Sequence, residues 1–537
     1  MDRFSKQPPL SEIDTTSHAP LGRTLMIQGT GSHVGKSILV AAFCRLFARR
    51  GYRVSPFKAQ NMALNSFVTR DGHEIGRSTA FQARAAGTEP CVEMNPVLLK
   101  PSSETGSQVI IFGTPVRHMD VHEYHAYQPV AVDTVTRALH TLRERFDIVV
   151  MEGAGSPAEI NLRDRDIANM RAATIGNAPV ILVGDIERGG VFASLYGTLA
   201  LLRSDERARV KGLLINKFRG DASLLDSGLA FLETECGVPV LGVLPFLRDL
   251  VVEEEDSLSL PPSRPPNAAG GADIAVLRLP HLSNFTDFDP LARQDGLRVR
   301  YVEDTAHWGA PDLVIVPGTK STVSDLEWLR RRGLADALVH HAAQGGRVLG
   351  ICGGFQMLGE VIEDPERVES RQASVPGLGL LGVQTRFQPA KQRRQVEGIG
   401  CGGWLDGATL IGYEIHQGQT VRRAGIAPFV RLSRWDETQE RDGEQEWDGA
   451  MSADAQVAGT YLHGFFDAPS CQMALRAFLG LGAAVAENIA PAEAAFERLA
   501  DWLEQNLDIS RVLAMAGLEK ENTRMILQDA GTAQPHG

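Results

Sequence analysis

The chain has 537 residues, of which 43% are hydrophobic and 22% charged, with a net charge of −12 at pH 7. That length supplies about two to four domains with real cores. The acidic balance argues against non-specific nucleic-acid binding, and no apolar run is long enough to span a membrane. Residues 1–21 are polar and lack the apolar segment of a signal peptide, so they read as a disordered leader. The six cysteines (44, 91, 236, 352, 401 and 471) are scattered with no CxxC pair. That pattern suits reduced thiols in a cytoplasm and neither a disulfide framework nor a zinc site.

Residues 22–256 alternate short apolar strands with amphipathic stretches. Candidate strands are Thr24–Gln28, Tyr52–Phe57, Gln108–Phe112, Asp147–Met151, Pro179–Gly184, Gly212–Asn216 and Pro239–Leu244. Ser37–Arg50 and Val130–Arg143 read as helices between them. This alternation predicts a parallel, doubly wound sheet. Residues 257–272 are dense in proline and glycine and read as a linker. A second unit, 273–475, has strands at Asp273–Leu279, Leu297–Val302, Leu313–Pro317 and Arg347–Ile351. Its glycine-rich segments Gly377–Val383 and Gly398–Gly403 look β-like, and the series closes around Gly459–Phe466. Residues 476–537 read as a helical extension with a frayed end. The fold class is therefore α/β, with two doubly wound domains.

The first strand runs into Gly29-Thr30-Gly31-Ser32-His33-Val34-Gly35-Lys36-Ser37. Glycines here let backbone N–H groups face phosphate, the lysine reaches terminal phosphates, and the serine hydroxyl suits Mg²⁺. A glycine-rich turn without ligand is the plain alternative, but Gly-Lys-Ser between a strand and a helix favours ATP. Five residues rather than four separate Gly29 from Gly35. That departure resembles the dethiobiotin synthetase-like branch of P-loop proteins. Glu152 ends a strand at the sheet's carboxyl edge, where ligands bind and a carboxylate holds Mg²⁺. Asp185 is a second candidate metal or water ligand, evenly balanced against a plain loop acid. Asn216, at another strand end, is a candidate contact to the base or a simple turn residue.

In the second unit, Gly350-Ile351-Cys352-Gly353-Gly354-Phe355-Gln356 puts a cysteine on a tight strand-to-helix turn, with a helix starting over Gln356–Ile362. This is the pattern of a nucleophile elbow. The helix N-terminus favours the thiolate. His463, in Gly459-Thr460-Tyr461-Leu462-His463-Gly464, is the best base candidate. A lone histidine is more often structural; Cys352 is what raises this one. The Gly353 N–H points at a developing oxyanion on this reading, with a second donor from the turn Val316-Pro317-Gly318-Thr319-Lys320.

Gly-Ile-Cys-Gly-Gly-Phe-Gln resembles the nucleophile motif of class I glutamine amidotransferases, which implies a flavodoxin-like glutaminase domain. Most of that class read His-x-Glu, whereas position 465 is Phe. A Cys–His pair without that Glu, together with Gly412-Tyr413-Glu414-Ile415-His416-Gln417-Gly418, resembles the cobyrinate amidotransferase family. Glu414 and His416 read as structural strand residues, with orientation of His463 as the lesser alternative.

The resemblance implies a glutamine-hydrolysing carbon–nitrogen ligase that takes ATP and Mg²⁺, with no protein-held cobalt or zinc. Three segments are informative within that family: Phe57–Ser66, Gly76–Arg84 and Met94–Pro101. They resemble the branch that amidates the b, d, e and g carboxylates of adenosylcobyrinic acid a,c-diamide. The branch that makes the a,c-diamide, or another carboxylate amidase, is the nearest alternative. A P-loop partitioning ATPase is the alternative from another class, and it leaves Cys352 and His463 unexplained. A polyanionic acid calls for cations and amides. Lys58, Asn61, Asn65, Arg77, Gln82, Arg84 and Lys100 cluster after the phosphate loop, although each alone is more often a solvated surface residue. Partners are thus expected to be small molecules, neither nucleic acid nor membrane, with a homo-oligomer left open.

Overall fold

The computed structural model describes residues 20–101, 106–247, 271–434, 446–482 and 492–518. Most of the leader and the linker, and the last residues of the tail, lie outside the described residues. The first domain is built on a six-stranded sheet. Its strands lie in the order Val240–Pro245, Val210–Phe218, Val180–Asp185, Arg23–Gly29, Ile148–Glu152, Val54–Lys58, and all pair in parallel. Near-continuous apolar runs such as Leu25–Ile27 and Ile148–Met151 explain this, because a parallel sheet is covered on both faces. The helix Lys36–Arg49 covers one face with Leu39, Phe43 and Phe47.

Gln108–Phe112 departs from the expectation of a parallel strand. Its structural counterpart, Gly106–Ile111, lies in a separate four-stranded sheet, antiparallel to Val97–Pro101 and Thr114–Asp120. The cause is the turn Phe112-Gly113, where both residues have positive φ (43° and 68°). A two-residue turn of that kind joins antiparallel neighbours, whereas a parallel pair needs a long crossover.

The second domain has its own six-stranded sheet. Leu297–Val302, Ala272–Leu277, Leu313–Val316, Arg347–Ile351 and Val457–Thr460 are parallel, with Ala450–Met451 antiparallel at the edge. Numbered along the chain, the parallel strands run 2-1-3-4-5, the flavodoxin-like order. The helix expected over Gln356–Ile362 is instead Gly353–Leu358, followed by the strand Val361–Glu363. The chain leaves the helix at Gly359, which lies too close to Val383 to carry a side chain: a Cβ there would come 2.8 Å from the Val383 oxygen. Of the glycine-rich segments expected to be β-like, Gly377–Val383 is instead a loop that joins the strand Ser374–Pro376 to Val383–Gly400, and Gly398–Gly403 is strand only as far as Gly400. Both strands lie in a second, seven-stranded sheet dominated by the hairpin of Val383–Gly400 and Thr409–Arg422.

The C-terminal helices Ala492–Asn506 and Ile509–Ala516 return to the first domain. Phe496, Leu499, Leu503, Leu507 and Val512 join the core made by Leu39, Phe43 and Phe47. Gly242 faces Asn506 so closely that a Cβ would sit 2.2 Å from its carbonyl oxygen. Outside this apolar contact, Arg45 and Arg49 pair with Glu497 and Asp501. Such surface pairs contribute little compared with the buried leucines. Leu503→Ala is expected to cost about 2–5 kcal/mol of stability, read as a lower denaturant midpoint for unfolding of the first domain.

Candidate active site

The loop Gly29–Ser37 wraps the N-terminus of the helix Lys36–Arg49. Gly35 caps that helix with φ 100°, and a Cβ there would lie 2.3 Å from Asn216 Nδ2. Asn216 Nδ2 donates to the Val34 carbonyl at 2.9 Å, so it braces the loop from the neighbouring strand end. Lys36 Nζ donates to the carbonyls of Gly31 (2.8 Å) and Gly155 (3.0 Å), which folds its side chain back along the loop. Ser37 Oγ donates to Glu152 Oε1 at 2.8 Å. Asp185 accepts from Lys217 Nζ at 2.9 Å and from the Glu187 N–H, and Lys217 also reaches the His33 carbonyl.

Glu152 is buried and collects more than the serine. Lys58 Nζ donates to Oε1 at 3.0 Å and Gln82 Nε2 to Oε2 at 2.5 Å. Lys58 and Glu152 are register partners on adjacent parallel strands, so the pair is set by the sheet. Two of the residues expected to meet an acidic substrate therefore hold the acid beside the phosphate loop.

A cavity of about 1840 Å³ opens beside this loop. Lys36, Ser37, Lys58, Asn61, Glu152 and Asn216 line it, as do Arg163, Arg165, Arg171 and Arg188. Asn61 is buried, and its Nδ2 has no hydrogen-bond partner among the described residues. The four arginines escaped the sequence reading because they lie on segments after Glu152 and Asp185 rather than directly after the phosphate loop. Asn65, Arg77 and Lys100 lie elsewhere, at the contact between domains. Arg77 donates to the Tyr413 hydroxyl at 3.1 Å. Lys100 and Lys391, one from each domain, both pair with the buried Glu74 at 2.5 and 2.7 Å. Burial favours a neutral Glu74, but the two ammonium groups outweigh it and hold its pKa far below the usual range. Arg84 is exposed on the helix Arg77–Ala85.

Cys352 sits at φ 52° and ψ −110°, a strained conformation for a non-glycine residue. Its neighbours must be small. A Cβ on Gly354 would lie 1.9 Å from the Val316 oxygen, and one on Gly353 would lie 2.7 Å from Thr319 Cγ2. The turn at Gly318 is therefore pressed against Gly353, beside the thiol. His463 is fully enclosed, and a Cβ on Gly318 would come 2.8 Å from its Cε1. The cavity beside the thiol is also lined by Lys100, Lys320, Gln356, Glu369 and Lys391. Burial lowers the pKa of Lys320 and raises that of Glu369 to about 7, each countered in part by the other's charge.

The residue that orients His463 is Asp287. Its Oδ2 meets His463 Nδ1 at 2.6 Å, and its Oδ1 accepts from the Gly464 N–H at 3.0 Å. Glu414 instead pairs with Arg394, and His416 stacks on Tyr461 with ring centroids 3.6 Å apart. His463 Nε2 is buried with no closed hydrogen bond, and Cys352 is its neighbour. Burial opposes a charged imidazole, but the Asp287 carboxylate and then the Cys352 sulfur raise the His463 pKa to about 9. The arrangement is a cysteine sulfur, an imidazole that can hold the sulfur's proton and a buried carboxylate that steadies the imidazolium, a set suited to nucleophilic acyl transfer. Asp287 lies 176 residues before His463, so no local spacing points to it. The available signal was an acidic, polar cluster just past the strand Ala272–Leu277, at the carboxyl edge of the sheet.

The two cavities share a thin wall. On the strand Val97–Pro101, Leu99 lines the large cavity and Lys100 the thiol's cavity. On the other domain, Phe285 lines the former and Asn284 the latter.

Residues 25–259 match the CobQ/CobB/MinD/ParA nucleotide-binding domain, and residues 273–471 match the CobB/CobQ-like glutamine amidotransferase domain. A protein of Sorangium cellulosum named cobyric acid synthase is 50% identical over 521 residues, covering 93% of this chain and 99% of that protein. Proteins of the same name from Pelotomaculum thermopropionicum and Yersinia enterocolitica are each 48% identical. They cover 93% and 92% of this chain and 97% and 98% of their own lengths.

The Asp287 contact predicts an observable titration. In the intact protein the His463 imidazole should titrate near pH 9 by NMR. Asp287→Asn removes the neighbouring charge and should lower that midpoint by about one to three pH units.

Proposed function

The chain belongs to the cobyric acid synthase family, and from that premise we propose that it amidates the b, d, e and g carboxylates of adenosylcobyrinic acid a,c-diamide. It is a glutamine-hydrolysing carbon–nitrogen ligase. Similarity to the proteins named cobyric acid synthase supports the choice of acid. The observation that carries the coupling of the two chemistries is the thin wall between the cavity beside the phosphate loop and the cavity beside the thiol. A partitioning ATPase has no use for the second cavity or for the Cys352–His463–Asp287 set.

In the proposed reaction, Lys36 and the loop amides from Gly29 to Gly35 orient ATP, with Asn216 bracing the loop. Ser37 and Glu152 fit Mg²⁺, an ion that keeps several waters and phosphate oxygens among its ligands and needs few from protein. When bound, that ion neutralises charge on the terminal phosphates. Lys58 and Gln82 fix the Glu152 carboxylate where the ion and the phosphates meet. Asp185 stands behind them, held by Lys217. A carboxylate of the acid attacks the γ-phosphorus of ATP, the bond to the β-phosphate oxygen breaks, ADP leaves and the carboxylate becomes an acyl phosphate. Asn61 offers its unpartnered Nδ2 to the acid, and Arg163, Arg165, Arg171 and Arg188 offer charge to its remaining carboxylates.

On the other side, Cys352 reacts as the thiolate whose proton His463 holds, and its sulfur attacks the glutamine amide carbon. The backbone N–H of Gly353 and the turn at Gly318 receive the oxyanion. The His463 imidazolium gives its proton to the departing nitrogen, and ammonia leaves. Water then frees glutamate from the thioester. Ammonia crosses the wall near Leu99 and Phe285 without entering bulk water, where it would be protonated, and displaces phosphate from the acyl phosphate. Opposite charges on Lys320 and Glu369 suit the α-carboxylate and α-ammonium of glutamine.

Assays with separate nitrogen sources test this reading. Cys352→Ala should abolish glutamine-dependent amidation and retain ammonia-dependent amidation. Lys36→Ala should stop both. Turnover of cobyrinic acid in place of its a,c-diamide would overturn the substrate assignment. The alkaline limb of glutamine hydrolysis should fall near pH 9, where His463 loses the proton it delivers, and should move to lower pH in Asp287→Asn.

A further inference from the structure

The segment that carries Asp287 is fastened to the other domain. Ser66 N–H donates to Asn284 Oδ1 at 2.9 Å, and Phe285 N–H donates to Asn65 Oδ1 at 3.2 Å. Asn65 and Asn284 are both almost completely buried. Asn284 adopts a left-handed conformation, φ 53°, which asparagine tolerates better than most residues. The chain then forms a single 3₁₀ turn, Phe285–Phe288, that delivers Asp287 to His463. On its other side this turn presents Phe285, Phe288 and Asp289 to the large cavity.

The Ser66 backbone is gripped on both sides. Its N–H meets Asn284, and its carbonyl accepts from the Tyr413 hydroxyl at 3.0 Å. The Tyr413 ring in turn stacks on His463, with centroids 5.4 Å apart and planes within 24°. One residue of the first domain therefore touches, through its backbone N–H and C=O, both elements that hold the histidine of the second: the Asp287 segment and the Tyr413 side chain.

We propose that Asn65 and Ser66 of the ATP-binding domain are positioning residues for His463, acting through Asn284–Asp287 and Tyr413, so that glutamine hydrolysis depends on the fit between the two domains. The proposal rests on the reading of Cys352 and His463 as the glutaminase pair. It reassigns Asn65 from contact with the acid to support of the other site. Ordering the segment in this way places the carboxylate within hydrogen-bonding reach of the imidazole, and a displacement of about 1 Å in such a constellation costs on the order of 10²-fold in rate. The groups that face His463 are Asp287, Cys352, Tyr413, His416 and Lys320, with Glu414 beside it on the paired strand and Asp467 and Arg77 behind. Among these, Tyr413 and the segment of Asp287 are what the clamp holds, and Asp287 is the one of the two that carries charge to the imidazole.

The experiment compares Asn65→Ala, Asn284→Gly and Asn284→Asp in the full chain. Asn284→Gly keeps the left-handed backbone and loses the acceptor; Asn284→Asp keeps both. The expected result for Asn65→Ala and Asn284→Gly is a kcat for glutamine hydrolysis lower by about tenfold or more. The KM for glutamine and ammonia-dependent amidation should stay within about twofold, and the alkaline limb of the pH profile should move to lower pH, as Asp287 loses its hold. Asn284→Asp should restore kcat and the pH profile. Unchanged hydrolysis in both variants would overturn the proposal. So would a defect confined to the KM for the corrinoid acid in the ammonia-driven reaction, which would return Asn65 to substrate binding. Joint loss of both reactions would overturn it too, because the residues would then serve the fold at large. Cys352→Ala measured alongside keeps the premises apart. If that variant still hydrolyses glutamine, the glutaminase assignment fails; if it is inactive while Asn65→Ala and Asn284→Gly are normal, only the clamp fails.

Discussion

The contact between Asp287 and His463 is the constraint around which the second domain is arranged. An imidazole enclosed by protein would ordinarily shed its proton. Here a carboxylate at 2.6 Å reverses that preference and leaves the histidine charged beside a thiol. A carboxylate in such a place also needs its own partners, because a buried charge without them is costly. Asp287 finds them in the imidazole and the Gly464 N–H. Gly318 leaves room for the imidazole ring, Gly353 and Gly354 for the turn packed beside the thiol, and Gly464 supplies the positive φ of 75° next to His463.

The same device recurs along the line between the two sites. Glu152 gathers Ser37, Lys58 and Gln82 beside the phosphate loop. Glu74 gathers Lys100, Lys391 and Ser66 at the domain contact. Asp287 gathers His463 and Gly464. Short elements link these acids: the helix Arg77–Ala85 carries Gln82 to Glu152 and begins just after Glu74. Removing one partner of such a buried pair costs about 3–5 kcal/mol, so each cluster resists rearrangement. Of the three, Glu74 spans the two domains through Lys391, and hydrogen bonds such as Ser66–Asn284, Phe285–Asn65 and Tyr413–Ser66, with the apolar contact of Val68 on Tyr413 and Ile415, complete the junction.

Much of this was legible in the chain itself, and what was hidden has a physical reason. Parallel strands announce themselves as unbroken apolar runs, and the glycines around Cys352 forecast its tight strand-to-helix turn. The phosphate loop is a local motif, readable residue by residue. Lys58 and Gln82 looked like ligands for an acidic substrate because their acidic partner is distant in sequence; the Lys58–Glu152 register exists only once the sheet is assembled. Asp287 was missed for the same reason. Gln108–Phe112 was misplaced because its apolar run suits any strand, and only the two-residue turn after it betrays an antiparallel partner. The return of the C-terminal helices to the first domain left no mark in composition, since an amphipathic helix does not say which core it completes.

The central claim is that nitrogen released at Cys352 is delivered to the acid activated beside the phosphate loop. Its most direct test is isotopic. The intact enzyme is given glutamine labelled with ¹⁵N at the amide, together with ATP, the corrinoid acid and an excess of unlabelled ammonium. Product amides that carry ¹⁵N predominantly, despite that excess, are the predicted result. Product whose label is diluted to the composition of the bulk ammonium pool would contradict the account.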